Sequence, residues 1–243
     1  MAHPAQVLKA AIRKAANALG YDIVGYDGNN ARQRLAGLLE RHGIGVILDV
    51  GANEGHFAWD MRELGYRGRI ISFEPMAEAF AQLQKAAAGD PNWQAVHCGL
   101  GARDEQKTLN VAANSQSSSF LPMLDAHRQA APESGYQRQE QVIVRRLDGV
   151  VSAYCGPSDR AFLKVDTQGF ERQVMEGAGT VLMQVPLMQL ECSLVPLYAG
   201  SDTIEDLIGL VRALGYDPVD IQPTFHHGDS GHLMQADVLF VRR

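Results

Sequence analysis

This 243-residue chain predicts an α/β fold with a mostly parallel sheet, and three observations carry that prediction. From about residue 46 onward, short apolar runs alternate with stretches of helical period, the mark of βαβ units with right-handed crossovers. The first run, VILDV, passes at once into a glycine loop, Gly51-Ala52-Asn53-Glu54-Gly55. The second, RIISF, meets an acid, Glu74, at its tip. Strand, glycine loop and helix, with a carboxylate ending the second strand, is how nucleotide-like cofactors are held.

The elements follow in order. MAHPAQVLKAAIRKAANALG reads as an amphipathic helix, with Val7, Leu8, Ile12, Ala15 and Leu19 on one side and Lys9, Arg13 and Lys14 elsewhere. It suits packing on the domain or a dimer partner, with contact to a membrane surface bearing a lipid-linked substrate as the other reading. Residues 1–44 are assigned to this helical segment, and 45–243 to the cofactor-binding domain. Strand candidates are Val46–Val50, Arg69–Phe73, Gln94–Cys98, Ala161–Val165, Leu187–Cys192 and Ala236–Val241. The first, fourth and fifth are almost wholly apolar, as strands buried on both faces are. Phe57, Met61 and Leu64 share a helical face, as do Phe80, Leu83 and Ala87. Ile204, Leu207, Ile208, Val211 and Leu214 form a third, closed by Gly215. Residues 107–147 break the rhythm with KTLNVA, the polar run NSQSSSF and QVIVRRL; this reads as an excursion over the sheet that serves the ligand.

Composition narrows the function classes. With 46% hydrophobic and 21% charged residues, the chain reads as a globular protein with a sizeable core. A net charge of −6 gives no footprint for nucleic acid. Cys98, Cys155 and Cys192 lack metal or disulfide spacing, so a reducing cytoplasm is the expectation. Neither a signal peptide nor a membrane-spanning run is read from the sequence.

The glycine loop speaks to the cofactor. In the dinucleotide fingerprint the middle glycine lets the backbone reach a pyrophosphate. Here that place holds Asn53, and Glu54 near the helix N-terminus would repel such an anion. A sulfonium and an ammonium tolerate both Asp49 and Glu54, which favours S-adenosylmethionine over NAD. Glu74 suits the ribose hydroxyls, and Gly99-Leu100-Gly101 leaves room for adenine. The cofactor-binding candidates are Asp49, Gly51, Asn53, Gly55, Glu74, Gly99, Leu100, Ser117, Ser118 and Asp166.

ILDVGANEGHFAWDMRELGYRGRIISFEP, together with FLKVDTQGFE, SSSFLPM and LECSLVPLY, resembles the FkbM family of S-adenosylmethionine-dependent methyltransferases over residues 45–243. The resemblance implies the class I methyltransferase fold, a Rossmann-like seven-stranded sheet with its last strand antiparallel and helices on both faces. It also implies O-methylation of a small-molecule acceptor, a sugar or polyketide hydroxyl.

Removing a hydroxyl proton calls for a base or a metal ion. Asp166 ends an apolar strand at the sheet's carboxyl edge, with Lys164 two residues before it on the same face. Lys164 is either half of a structural ion pair or a group reaching the acceptor. Glu171 falls in the first turn of the next helix, where it complements the dipole. Glu191 ends the neighbouring strand. With Asp166 it would act as base and substrate clamp, or share a divalent cation such as magnesium; no metal ligands are assigned. His226, His227, Asp229 and His232 read as a solvated loop, with a general base or a metal ligand among them as the alternative. Two competing readings are an NAD-dependent sugar-modifying enzyme and a non-catalytic S-adenosylmethionine-binding module.

Overall fold

A computed structural model describes residues 11, 12, 14–18 and 31–243. The chain divides into two units, Met1–Arg34 and Leu35–Arg243. Residues 11, 12 and 14–18 are helical (α1), and Ile12 is half exposed. Val7, Leu8, Lys9, Arg13 and Leu19 of the expected amphipathic helix lie outside the described residues. Among the described residues no helix is long and apolar enough to cross a membrane.

The second unit is built on a seven-stranded sheet. Its strands are β1 (Val46–Val50), β2 (Arg69–Phe73), β3 (Trp93–Val96), β7 (Ala161–Val165), β8 (Leu187–Ser193), β9 (Tyr216–His226) and β10 (Leu233–Arg242), in the order β3-β2-β1-β7-β8-β10-β9. The pairs among β3, β2, β1, β7 and β8 are parallel, and β10 runs antiparallel to both β8 and β9. This is the expected seven-stranded sheet with an antiparallel last strand. The helices α2 (Ala31–Arg41), α3 (His56–Glu63), α4 (Ala77–Ala87), α7 (Glu171–Ala178) and α8 (Ile204–Ala213) accompany it.

Alternation along the central strands splits the core in two. Val46, Leu48 and Val50 join Leu163, Val165, Val174 and Leu207 on one face. Ile47 and Phe162 join Leu35, Leu39, Ala58 and Met61 on the other. On that second face the next residues toward the carboxyl edge are Asp49 and Lys164, partners in register, so the apolar layer gives way to charge where the site begins.

The excursion forms a second sheet of β4 (Gly99–Leu100), β6 (Tyr136–Arg145) and β5 (Glu105–Ala112), with α5 (Asp125–Ala130) between β5 and β6 and the short α6 (Leu147–Val150) after β6. Two changes in strand assignment are more than a shift of the ends. The third strand ends at Val96, because the Cys98 amide turns back to the Val96 carbonyl (3.0 Å) and the chain leaves for β4. β9 was not expected from the sequence: Pro218 and Pro223 interrupt it, which an edge strand tolerates.

Two glycines give opposite tests of this packing. A Cβ on Gly177 in α7 would fall 1.9 Å from the Gly101 carbonyl oxygen, whereas one on Gly209 in α8 meets nothing within 4 Å. Thermal denaturation is expected to show Gly177→Ala destabilised by about 1–3 kcal/mol and Gly209→Ala stabilised by about 0.5–1 kcal/mol. A neutral Gly177→Ala would mean that α7 does not pack against the β4 loop as described.

Candidate active site

A cavity of about 360 Å³ opens at the carboxyl edge of the parallel strands, within the size range of small-molecule sites. Its walls come from the glycine loop, the tips of β2, β7 and β8, the residues at β4, the turn 115–120 after β5, and Asp237 of β10.

The glycine loop is shaped by close approach. Gly51 has φ 76°, and a Cβ there would lie 1.8 Å from the Asp166 carbonyl oxygen, so only glycine lets the β1 and β7 tips meet. Its amide and that of Ala52 both bond the Phe73 carbonyl at 3.1 Å. Asn53 follows in the left-handed region, φ 47°, and donates its backbone N–H to Glu74 Oε2 at 2.8 Å. The other carboxyl oxygen of Glu74 accepts the Met76 amide at 2.8 Å. Glu74 is thus fixed at both oxygens and buried, and it lines the cavity. Burial pushes it up to about 7, against the pull of those two amides.

Beneath the cavity sits a charged layer. Lys164 Nζ lies 3.4 Å from both Asp49 Oδ1 and Asp166 Oδ2, and donates to the Gly51 carbonyl at 3.3 Å. Asp49 Oδ2 also accepts from Ser72 Oγ (3.0 Å), which in turn accepts from Trp93 Nε1 (3.0 Å). Burial disfavours the ammonium, but Asp166, Asp49, Asp237 and Glu191 overcome that and raise Lys164 above its ordinary value. Lys164 is therefore a fixed cation that lines the cavity and cannot take up a proton. Asp49 is fully buried under the loop and does not line the cavity.

Gln168, a neutral turn residue outside the expected site, joins the two anticipated acids. Its Nε2 donates to Asp166 Oδ1 at 3.0 Å and to Glu191 Oε2 at 2.5 Å. Its amide orientation is fixed because Oε1 accepts the Tyr198 hydroxyl at 2.9 Å. Its φ is 53°, so the turn must hold it there: Ser119 Oγ donates to its carbonyl (2.7 Å). Glu171 Oε1 gathers the Thr167 and Gly169 amides at 3.0 and 3.1 Å. Glu171 is thereby a loop tie rather than only a dipole partner. Glu191 Oε2 also accepts Gln235 Nε2 at 2.8 Å. Burial, then Asp166 and Asp237, push Glu191 well above its ordinary value.

Among the described residues, the positive-φ residues other than glycine are Asn53, Ser115 and Gln168, and all three line the cavity. Such strain gathers at functional sites. Asn53 and Ser115 hydrogen-bond side chain to side chain at 3.2 Å, tying the glycine loop to the serine turn.

Several expected residues stand elsewhere. Gly55 has φ 94° and faces Trp93 and Leu83 rather than the cavity. Ser118 lines the cavity, but Ser117 is buried behind it, its hydroxyl taken by Asn114 Nδ2 (3.0 Å) and by His127 Nε2 (3.3 Å). Glu54 is exposed and outside the cavity, so it does not repel an anion there as expected. Gly99 and Leu100 line the wall, with Phe120 beside them; Gly101 instead packs on Val144 and Phe170. His226, Asp229 and His232 are exposed, His227 is partly buried, and all four lie outside the cavity. Among the described residues no group of three or more His, Cys, Asp or Glu is placed to hold a metal ion.

This fold and cavity define a class I methyltransferase architecture, and the sequence agrees with it. The chain belongs to the FkbM methyltransferase family, whose domain matches residues 49–218. No curated protein sequence matches it. Among solved structures it is similar to Burkholderia thailandensis 1,6-didemethyltoxoflavin-N1-methyltransferase with bound 1,6-didemethyltoxoflavin and S-adenosylhomocysteine (15% identity, 100% of this chain and 91% of that one, TM-score 0.47). It is also similar to Aeropyrum pernix fibrillarin in complex with natively bound S-adenosyl-L-methionine (14% identity, 86% and 74%, TM-score 0.48). A third is magnesium protoporphyrin IX methyltransferase from Synechocystis PCC 6803 with bound SAM (11% identity, 97% and 97%, TM-score 0.47).

The raised carboxyls fix the sign of a pH effect. Glu74 goes from 4.5 to about 7 on folding, so its contribution to stability is full below 4.5 and is lost as pH rises toward 7. Glu171, raised to about 7, and Asp237, raised to about 6, act in the same direction. Melting temperatures from about pH 5 to about pH 8 should fall less for Glu74→Gln than for the unaltered chain, the difference being on the order of 3 kcal/mol. Equal slopes would show that Glu74 ionises in the fold as it does in water.

Proposed function

We propose that this chain is an S-adenosylmethionine-dependent O-methyltransferase acting on a hydroxyl of a small molecule, with a sugar unit as the acceptor class. The observation that carries the reading is the charge of the cavity: Asp60, Glu74, Asp166, Glu191 and Asp237 line it, against one ammonium among the described residues, that of Lys164. That donor set suits a sulfonium and an amino-acid ammonium and opposes a pyrophosphate, so the argument against NAD rests on these acids rather than on Glu54. S-adenosylmethionine, when bound, supplies an electrophilic methyl group on a positively charged sulfur.

The chain's own residues divide the remaining work. Glu74, held by two backbone amides, presents its carboxylate to the ribose hydroxyls. Gly99, Leu100 and Phe120 give the flat apolar wall that an adenine ring needs. Asp166 orients the cationic part of the cofactor and the acceptor. Glu191 takes the hydroxyl proton at Oε1, the oxygen that neither Gln168 nor Gln235 engages. Its raised affinity for protons suits that role.

Calorimetric titration with S-adenosylmethionine, S-adenosylhomocysteine and NAD tests the cofactor assignment. Micromolar binding of the two sulfur compounds with none of NAD is expected; tight NAD binding would overturn it. Glu74→Ala should weaken the sulfur compounds at least about tenfold with the fold intact. On a panel of hydroxylated sugars, Glu191→Gln should lose about 10²–10⁴-fold in turnover, and Asp166→Ala should lose more turnover than affinity. Unchanged turnover in Asp166→Ala would remove it from the site.

A further inference from the structure

Asp237 lies inside the apolar run Ala236–Val241, and antiparallel pairing of β10 with β8 sets it opposite Glu191. It lines the same cavity as Asp166 and Lys164. The far wall therefore carries three carboxyl groups, Asp166, Glu191 and Asp237, and one ammonium. That ammonium is already shared, 3.4 Å from Asp49 and 3.4 Å from Asp166. Gln168 and Gln235 bond Glu191 Oε2, and Gln189 bonds Asp237, but amides bring no compensating charge. Among the described residues, no cation besides Lys164 lines the wall.

We infer that Asp237 is a specificity-determining residue that makes the cavity favour a cationic ligand over a neutral one of the same shape, so that a sulfonium methyl donor outcompetes the thioether left after transfer. This rests on the functional reading above. Were the methyl donor and its demethylated product bound equally, product would accumulate in the site. A wall with more carboxyl groups than ammonium groups holds the sulfonium and lets the neutral product go.

The geometry also dictates a pH signature. The charged and titratable groups facing Asp237 are Glu191 and Cys192 from β8 and Lys164 and Asp166 from β7 and its tip; on β9 the residue opposite is the uncharged Gln222. Burial, then Asp166, pushes Asp237 up to about 6, against Lys164 and Gln189. Below that value the wall gains protons and loses its preference for a cation.

Calorimetry with S-adenosylmethionine and S-adenosylhomocysteine from about pH 5 to about pH 8 tests this. The ratio of their dissociation constants should move toward S-adenosylmethionine by at least about tenfold over that range. Asp237→Asn, which keeps the side chain's shape, should hold S-adenosylhomocysteine within about threefold of the unaltered chain while flattening the ratio. A flat ratio in the unaltered chain overturns the inference whether or not the variant folds, and so does an unchanged slope in Asp237→Asn. Binding of neither compound at any pH would overturn the functional reading itself, whereas binding with a flat ratio overturns only the role of Asp237.

Discussion

A buried ammonium organises this site. Lys164 is only 6% exposed, and an uncompensated charge at such depth is not tolerated. Its compensation comes from Asp49 on β1 and Asp166 beyond β7, so the two central strands must bring their carboxyl ends together. Losing one partner of a buried pair typically costs about 3–5 kcal/mol. The pair therefore acts as a clamp. Gly51 completes it, because a side chain there would collide with the Asp166 carbonyl.

Everything nearer the ligand is hung from that clamp. Asp166 starts the turn that carries Gln168, and Gln168 ties Asp166 to Glu191 while Tyr198 fixes which way its amide points. Glu171 holds the same turn from below, and Ser119 reaches it from the excursion. The carboxyls thus have their positions set by bonds that do not depend on a ligand, which is the preorganisation a charge-sensing cavity requires.

The sequence exposed the parts of this arrangement whose chemistry is written locally. Gly51, Glu74, Asp166 and Glu191 each stand at the end of an apolar run, so alternation and punctuation alone bring them to the sheet's carboxyl edge. Asp237 stands inside such a run, and its facing follows from the pairing of β10 with β8, which no local pattern states. Gln168 is a neutral side chain whose role depends on a left-handed φ and on a tyrosine 30 residues away. Within NSQSSSF, neighbouring serines differ only in rotation about the turn, which buries Ser117 and turns Ser118 to the cavity. Pro218 and Pro223 disguised β9, since proline signals the end of a strand unless that strand is an edge.

The central pairing of β1 with β7 joins Val46 to Ala161, across the whole first half of the sheet and the excursion. Contacts of such long sequence separation form slowly, because the loop-closure entropy must be met before any pairing repays it. The ammonium clamp thus cannot exist until β7 has been synthesised and has found β1, and Asp237 joins only with the last strand. The amino-terminal βαβ portion emerges with its glycine loop held by Phe73 and Glu74 but still without Asp166, against which Gly51 packs. Cofactor affinity in this protein therefore depends on strands far apart in the sequence, and the ligand can stabilise the fold only once they have paired.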